Sequence, residues 1–163
     1  MLLRTLALAL YLANFAWLGS SLGSLPDPVA THFNLVGFAD GFSSGTRYAL
    51  TMAALITLFA SLTAVLPALL RRTPTRWLAM PGVDPSRVSR DTLNLLMTRF
   101  SHAFGVAMAS FLLWIQWLTV QANQLAPARL DIKGLYLGLS SMLLTTILLI
   151  LWLVVALYRA DRA

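Results

Sequence analysis

Four long apolar segments constrain the fold of this chain more than any other feature of its sequence. They cover residues 2–22, 49–70, 100–120 and 135–157. About 20 residues of helix, at 1.5 Å per residue, cross the roughly 30 Å of hydrocarbon in a bilayer. Backbone polar groups cannot stay unpaired in lipid, so each segment is predicted to be helical. The sequence therefore predicts an all-α membrane protein, with four transmembrane helices in a single domain of residues 1–163.

The composition agrees with a membrane protein and excludes several other classes. Hydrophobic residues make up 58% of the 163 residues and charged residues only 11%, which is too little charge for a soluble domain of this length. The net charge of +6 comes mainly from arginines beside apolar segments, so we predict the lipid bilayer, and no nucleic acid, as a partner. The absence of cysteine excludes disulfides and thiolate metal sites.

Basic residues are distributed unequally between the two ends of the predicted helices. Nine lie near the termini or in the connection between the second and third segments: Arg4, Arg71, Arg72, Arg76, Arg87, Arg90, Arg99, Arg159 and Arg162. The other two connections contain only Arg47, Arg129 and Lys133. The positive-inside rule then predicts both termini and the second connection in the cytoplasm, and the first and third connections outside.

Two stretches each have two interpretations. Arg4 and the small residues at 19–24 are also typical of a cleavable signal peptide, although we treat the first segment as a helix. Asp84-Pro85 resembles a helix start, and apolar residues then recur at helical spacing as far as residue 98. This amphipathic stretch is either a separate interfacial helix or an early start of the third transmembrane helix.

The first connection, residues 23–48, is more apolar than a solvated linker. It contains three phenylalanines, with Phe33 and Phe38 expected to be buried, so we predict an ordered loop that folds onto the membrane surface or the helix ends. Asp40-Gly41 is typical of a tight turn, and Gly37 of a second reversal.

The same connection carries a recognisable motif: Leu25-Pro26, His32-Phe33-Asn34, Gly37 and Asp40-Gly41, followed by Phe42 where many relatives have tryptophan. This pattern resembles the bacterial membrane family called domain of unknown function 1648, found at the start of SdpI-type immunity proteins. The resemblance covers the first two apolar segments well and the remainder loosely. It implies a multi-pass protein of the bacterial cytoplasmic (inner) membrane.

Most members of that family have no assigned activity. SdpI-type members protect a producing cell against a secreted peptide toxin, and one also captures a transcriptional repressor at the membrane. We expect this chain to be a short form without the additional C-terminal membrane segment of those proteins, which argues against transferring toxin immunity or repressor capture to it.

The polar residues of the motif have structural and functional interpretations. His32, Asn34 and Asp40 either bond the loop backbone and set its turns, or contact a toxin or other partner; a metal site with Asp27 is the third possibility. Their spacing matches no helical zinc motif, so no metal is predicted. The candidate partner-binding or loop-structuring residues are His32, Phe33, Asn34, Gly37, Asp40 and Gly41.

Polar and small residues within the apolar segments are predicted to pack helices together. No Asp or Glu lies inside a segment, so a proton or substrate path is disfavoured and interhelical hydrogen bonds by Asn14 and Gln116 are favoured. Two Gly-x-x-x-Gly pairs permit close backbone approach. The candidate helix-packing residues are Asn14, Gly19, Gly23, Gln116, Gly134 and Gly138.

No catalytic motif accompanies these features. The sequence contains no glycine-rich phosphate loop and no nucleophile elbow, so we predict a non-enzyme without catalytic residues or cofactors. Our leading hypothesis is a membrane protein that binds or shields against a peptide or protein partner through its outer loop. The alternative is a small accessory or structural subunit of a larger membrane protein complex.

Overall fold

The computed structural model describes residues 1–73 and 87–162, which contain four long helices. Helix α1 spans Leu2–Ser21 and continues as a 3-10 turn, Leu22–Ser24. Helices α2, α3 and α4 span Gly45–Arg72, Arg90–Asn123 and Ile132–Asp161. All four are long and apolar enough to cross a membrane. The prediction of four helices able to span a membrane is therefore confirmed.

The starts of α2 and α3 are set by serine caps. Ser44 Oγ accepts a hydrogen bond from the Arg47 amide at 3.3 Å, and Ser89 Oγ accepts one from the Thr92 amide at 3.2 Å. A serine in this position satisfies one of the amides that a helix leaves unpaired in its first turn. Helix α3 is thus continuous from Arg90, as expected if the third transmembrane helix begins early. The helix start predicted at residues 84–85 lies outside the described residues.

Helix α3 is the centre of the bundle, because α1, α2 and α4 all pack against it. The start of α3 is tied to the end of α2 by Arg90, whose guanidinium donates to the Leu70 carbonyl at 2.9 Å and the Arg71 carbonyl at 2.6 Å. At the same end, Leu93 of α3 belongs to an apolar cluster with Leu157 of α4. We call this end, where α1 starts and α4 ends, the basal end.

A proline shapes the crossing of α2 and α3. Pro67 has no amide hydrogen, so the Thr63 carbonyl loses its usual partner one turn later in α2. Ser101 of α3 donates its hydroxyl to that carbonyl at 3.3 Å. Gly105 lies one turn further along α3, where an added Cβ would overlap the Thr63 side chain. The crossing therefore needs a proline, a hydroxyl and a glycine in register.

The first connection forms a β-hairpin at the opposite end, which we call the hairpin end. Strands β1 (Val29–Phe33) and β2 (Ala39–Ser43) pair antiparallel, with register irregularities on both sides of His32. An all-α fold with an ordered first connection was predicted, and the two-stranded sheet is an addition to it. The tight turn predicted at Asp40-Gly41 was wrong, because both residues lie within β2 and the chain reverses at residues 34–37 instead. Short strands of this kind are not detectable from apolar periodicity when one of them contains Asp-Gly.

The two phenylalanines expected to be buried behave differently. Phe33 is partly buried, whereas 41% of Phe38 is exposed. The prediction was therefore wrong for Phe38. The guanidinium of Arg129 lies over the Phe38 ring, 4.9 Å from its centroid, so a cation covers one face of this ring in place of an apolar core.

Candidate functional site

Asn34 closes the turn between the two strands. Its Oδ1 accepts hydrogen bonds from the amides of Val36, at 3.1 Å, and Phe38, at 3.0 Å. Its backbone amide donates to the Phe38 carbonyl at 2.9 Å, and its carbonyl accepts from the Gly37 amide at 2.9 Å. Asparagine is suited to this position because its short side chain can bond the backbone two to four residues later.

Gly37 has two reasons to be glycine. Its φ of +89° lies in the left-handed region, which other L-residues rarely adopt. An added Cβ would also lie 2.7 Å from the Leu130 carbonyl. The Leu130 amide donates to the Gly37 carbonyl at 2.8 Å, so the reversal lies directly against the connection between α3 and α4.

His32 and Asp40 pair across the hairpin. His32 Nδ1 and Asp40 Oδ1 are 2.5 Å apart, and the two side chains are 75% and 44% exposed. An ionised carboxylate only accepts, so the histidine nitrogen donates. Gly41 lies opposite His32 in the register, and a Cβ there would come within 2.7 Å of the His32 Cβ. The motif residues of β2 thus make room for His32 and bond it.

Asp27 does not complete a metal site with this pair in the described part of the chain. Among residues 1–73 and 87–162, no three His, Asp or Glu side chains come together in a way that could hold a metal ion. The hairpin presents one exposed imidazole and carboxylate pair, His32 and Asp40.

Asn123 joins the hairpin to α3 and was missed by the sequence reasoning. Its side-chain amide accepts from the Ala30 amide at 2.8 Å and donates to the Ala30 carbonyl at 3.0 Å. Ala30 is fully buried and Asn123 is 8% exposed. An asparagine in the last turn of a transmembrane helix is ordinarily satisfied by interfacial water, so its sequence position alone gives no signal of this contact.

The connection between α3 and α4 covers the other edge of the hairpin. The Ala39 amide donates to the Ala128 carbonyl at 3.2 Å, and Phe38 and Arg129 form an isolated antiparallel bridge. The hairpin is therefore held on both edges. Three large apolar side chains are nevertheless more than half exposed on it, namely Leu35 at 90%, Val36 at 62% and Phe42 at 57%. We call these three the exposed hairpin side chains.

The hairpin falls within a segment that matches a family of known proteins. Residues 9–58 match the family model described as Domain of unknown function (DUF1648). The resemblance carried by the motif is thereby confirmed for this part of the chain, which we call the DUF1648 segment. It contains most of α1, the hairpin and the first half of α2. No curated protein and no solved structure matches the chain. A DUF1648 segment and four apolar helices indicate a multi-pass membrane protein of unknown function.

A buried hydrogen bond connects the DUF1648 segment to α3. Gln116 Nε2 donates to Asn14 Oδ1 at 2.7 Å, and Asn14 Nδ2 donates to the carbonyls of Ala109, at 2.9 Å, and Leu10, at 2.8 Å. Asn14 is fully buried and Gln116 is 1% exposed. Within the described residues, Gln116 Oε1 is buried without a partner. The pair links α1 to α3 within the bundle, in the half nearer the hairpin end.

The two glycine pairs differ in their surroundings. An added Cβ at Gly138 would overlap the Trp114 indole, and one at Gly134 would come within 3.2 Å of the Leu118 side chain. Trp114 Nε1 also donates to the Gly134 carbonyl at 3.1 Å. This pair lies where α4 approaches α3. Apart from adjacent residues and the local helix backbone, no atom of the described residues lies within 4 Å of a Cβ added at Gly19 or Gly23, so these two glycines are not at a close helix contact within the described chain.

Proposed function

We propose that this chain is a non-enzymatic protein of a bacterial cytoplasmic membrane that binds a peptide or protein partner through its exposed hairpin side chains. The observation that carries the proposal is the contrast between the hairpin's attachment and its surface. Asn34, Gly37 and Asn123 hold the backbone in place, while Leu35, Val36 and Phe42 remain outside the core.

Side chains that stay exposed do not contribute the free energy of apolar burial to folding. Each large apolar side chain gains about 1.5–3 kcal/mol when it is transferred from water to an apolar environment. A surface that is rigid before binding also loses little entropy when a partner covers it. The exposed hairpin side chains therefore form a suitable binding surface, with the His32 and Asp40 pair beside them on the same hairpin for polar contacts.

The proposed orientation has both termini in the cytoplasm and the hairpin outside. It rests on the nine basic residues near the termini and in the second connection of the sequence, against three in the first and third connections. Reporter fusions after Arg72 and Arg162 should report a cytoplasmic location, and a fusion within the hairpin an external one. An external signal from the Arg72 fusion would contradict the orientation and move the binding surface to the cytoplasm.

Site-specific photo-crosslinking in intact cells tests the binding surface. A photoreactive residue placed at Leu35 or Phe42 should give adducts with one protein or peptide. The matched control is Leu50, which is 67% exposed on α2 and should give lipid adducts. Lipid adducts alone at Leu35 and Phe42 would contradict partner binding and identify the hairpin as a membrane anchor.

Variants of the polar pair separate binding from folding. An exposed ion pair contributes about 0–1 kcal/mol, so His32→Ala and Asp40→Ala proteins should accumulate in membranes at nearly normal levels. Loss of the crosslinked partner at normal abundance would support contact by this pair. Normal abundance with full crosslinking would mean that the pair takes no part in binding.

An accessory-subunit role is the second candidate, and α4 is the feature that favours it. Its buried residues are only Gly134, Leu153 and Leu157, although the helix has 30 residues. The remaining surface is available to a neighbouring membrane protein as well as to lipid. Copurification from gently solubilised membranes in constant stoichiometry with larger subunits would favour this role. Recovery of the chain alone would count against it.

A further inference from the structure

A polar cleft opens at the basal end between α1, α2 and α3. Its volume is about 350 Å³, and its lining includes the exposed residues Arg4 and Arg71 and the buried residues Tyr11 and Thr63. The Tyr11 and Thr63 hydroxyls are 3.1 Å apart and bond each other. Arg4 and Tyr11 are seven residues apart, so the cleft extends about 10 Å along α1.

The charge of the lining has one sign. Arg4 and Arg71 contribute cationic groups from α1 and α2, His102 contributes an imidazole from α3, and the lining contains no Asp or Glu. Within the described residues, neither the Arg4 nor the Arg71 guanidinium has a salt bridge or hydrogen bond, and the single ion pair there is at the hairpin. Arg90 differs, because the carbonyls at the end of α2 accept its hydrogen bonds.

Arginines at helix ends serve topology and reach the membrane surface without needing a ligand. That role does not require two guanidiniums to share a cleft with a histidine. Two cationic groups that line one cleft repel each other, and an anion bound in the cleft relieves that repulsion. The planar guanidinium matches the oxygens of phosphate in geometry, and charge-assisted bonds of this kind are stronger than neutral ones.

We propose that this cleft binds an anionic phosphate group through Arg4 and Arg71, with His102 and Thr98 on the α3 wall. The group belongs either to the headgroup of an anionic phospholipid or to a soluble phosphate. Leu8 and Ala64 are exposed apolar residues of the same lining, and they provide a surface along which an acyl chain can lie. The site is separate from the hairpin surface and does not depend on the partner proposed above.

The test measures thermal unfolding of the purified chain in neutral detergent, titrated with phosphatidylglycerol, phosphatidylcholine or inorganic phosphate. We expect wild-type protein to be stabilised by phosphatidylglycerol or by inorganic phosphate, and not by phosphatidylcholine. In the Arg4→Gln/Arg71→Gln protein the half-saturating concentration should rise about tenfold or more, since two charge-assisted contacts are lost. Arg99→Gln removes a basic side chain of α3 that does not line the cleft, and it should leave the response unchanged.

The response to the two anions identifies the source of the phosphate. Stabilisation by phosphatidylglycerol alone indicates a lipid headgroup, and stabilisation by inorganic phosphate indicates a soluble ligand. A second variant, Ala64→Phe, fills the cleft from an exposed position without removing charge, and it should weaken the response as the double variant does. No stabilisation by either anion, an unchanged response in both cleft variants, or an equal loss in Arg99→Gln would overturn the proposal.

Discussion

The Asn14 and Gln116 pair should be asymmetric, in that removing Asn14 costs more stability than removing Gln116. Asn14→Ala removes three hydrogen bonds and leaves Gln116 Nε2 unpaired beside its already unpaired Oε1. Gln116→Met removes one hydrogen bond and leaves Asn14 Oδ1 unpaired, but it also eliminates the buried Oε1. Methionine has nearly the shape of glutamine, so packing is preserved.

The magnitudes follow from these inventories. A buried polar group left without a partner costs about 1–3 kcal/mol, so we expect Asn14→Ala to lower the free energy of unfolding by about 2 kcal/mol. For Gln116→Met, the loss at Asn14 is offset by removal of Oε1, and we expect about 0–1 kcal/mol. Measured couplings between polar side chains in membrane bundles average about 0.6 kcal/mol and reach about 1.7 kcal/mol. The double variant should therefore lose less free energy of unfolding than the sum of the two single variants, and the difference should be about 0.6–1.7 kcal/mol.

A double-mutant cycle by reversible unfolding in mixed micelles measures all three values. The free energy of unfolding of Asn14→Ala/Gln116→Met should be closer to the wild-type value than the sum of the two single losses predicts. A greater loss for Gln116→Met than for Asn14→Ala would refute the asymmetry. Additive losses would refute the hydrogen bond itself as an energetic contact.

Three further predictions concern single residues. Asn123→Ala should release the hairpin by leaving the Ala30 amide and carbonyl unpaired, at a cost of about 1–3 kcal/mol, which hydrogen exchange at the Ala30 amide would detect as lost protection. Gly37→Ala should cost at least about 1–3 kcal/mol because of its positive φ, measured as a lower unfolding temperature; an unchanged value would contradict the turn geometry. Gly138→Leu should destabilise the chain by about 1–3 kcal/mol through overpacking, whereas Gly19→Leu should unfold at the wild-type temperature, and equal effects would contradict the difference in their surroundings.

The helices could be predicted from the sequence because lipid solvation acts on every residue of an apolar segment. The cost of an unpaired backbone group in hydrocarbon leaves helix as the one local solution, whatever the rest of the chain does. Interhelical hydrogen bonding by Asn14 and by Gln116 was predicted for the same reason, although the sequence did not predict that they bond each other. Which carbonyls they bond, such as the Ala109 carbonyl, depends on how α1 and α3 are rotated about their axes. Sequence periodicity does not give that rotation.

The hairpin end was harder to predict because its contacts join residues about 90 positions apart. Ala30 and Asn123 are an example: a buried alanine in a loop and an asparagine at a helix end each look ordinary alone. Gly37 was recognised as a reversal, but its approach to Leu130 was not. The environment of Phe38 was mispredicted since hydrophobicity alone does not distinguish a core contact from stacking under Arg129.

Three polar contacts of the DUF1648 segment have their partners outside the segment. Asn14 bonds to Gln116, Ala30 to Asn123, and Gly37 to Leu130. These three partners lie on α3 or just after it, beyond the residues that match the family. Without these partners, the buried polar groups of the segment would stay unpaired. Each such group would lower the free energy of unfolding by about 1–3 kcal/mol. In this chain, α3 therefore completes the DUF1648 segment, because Gln116 and Asn123 supply the polar side chains that Asn14 and Ala30 bond.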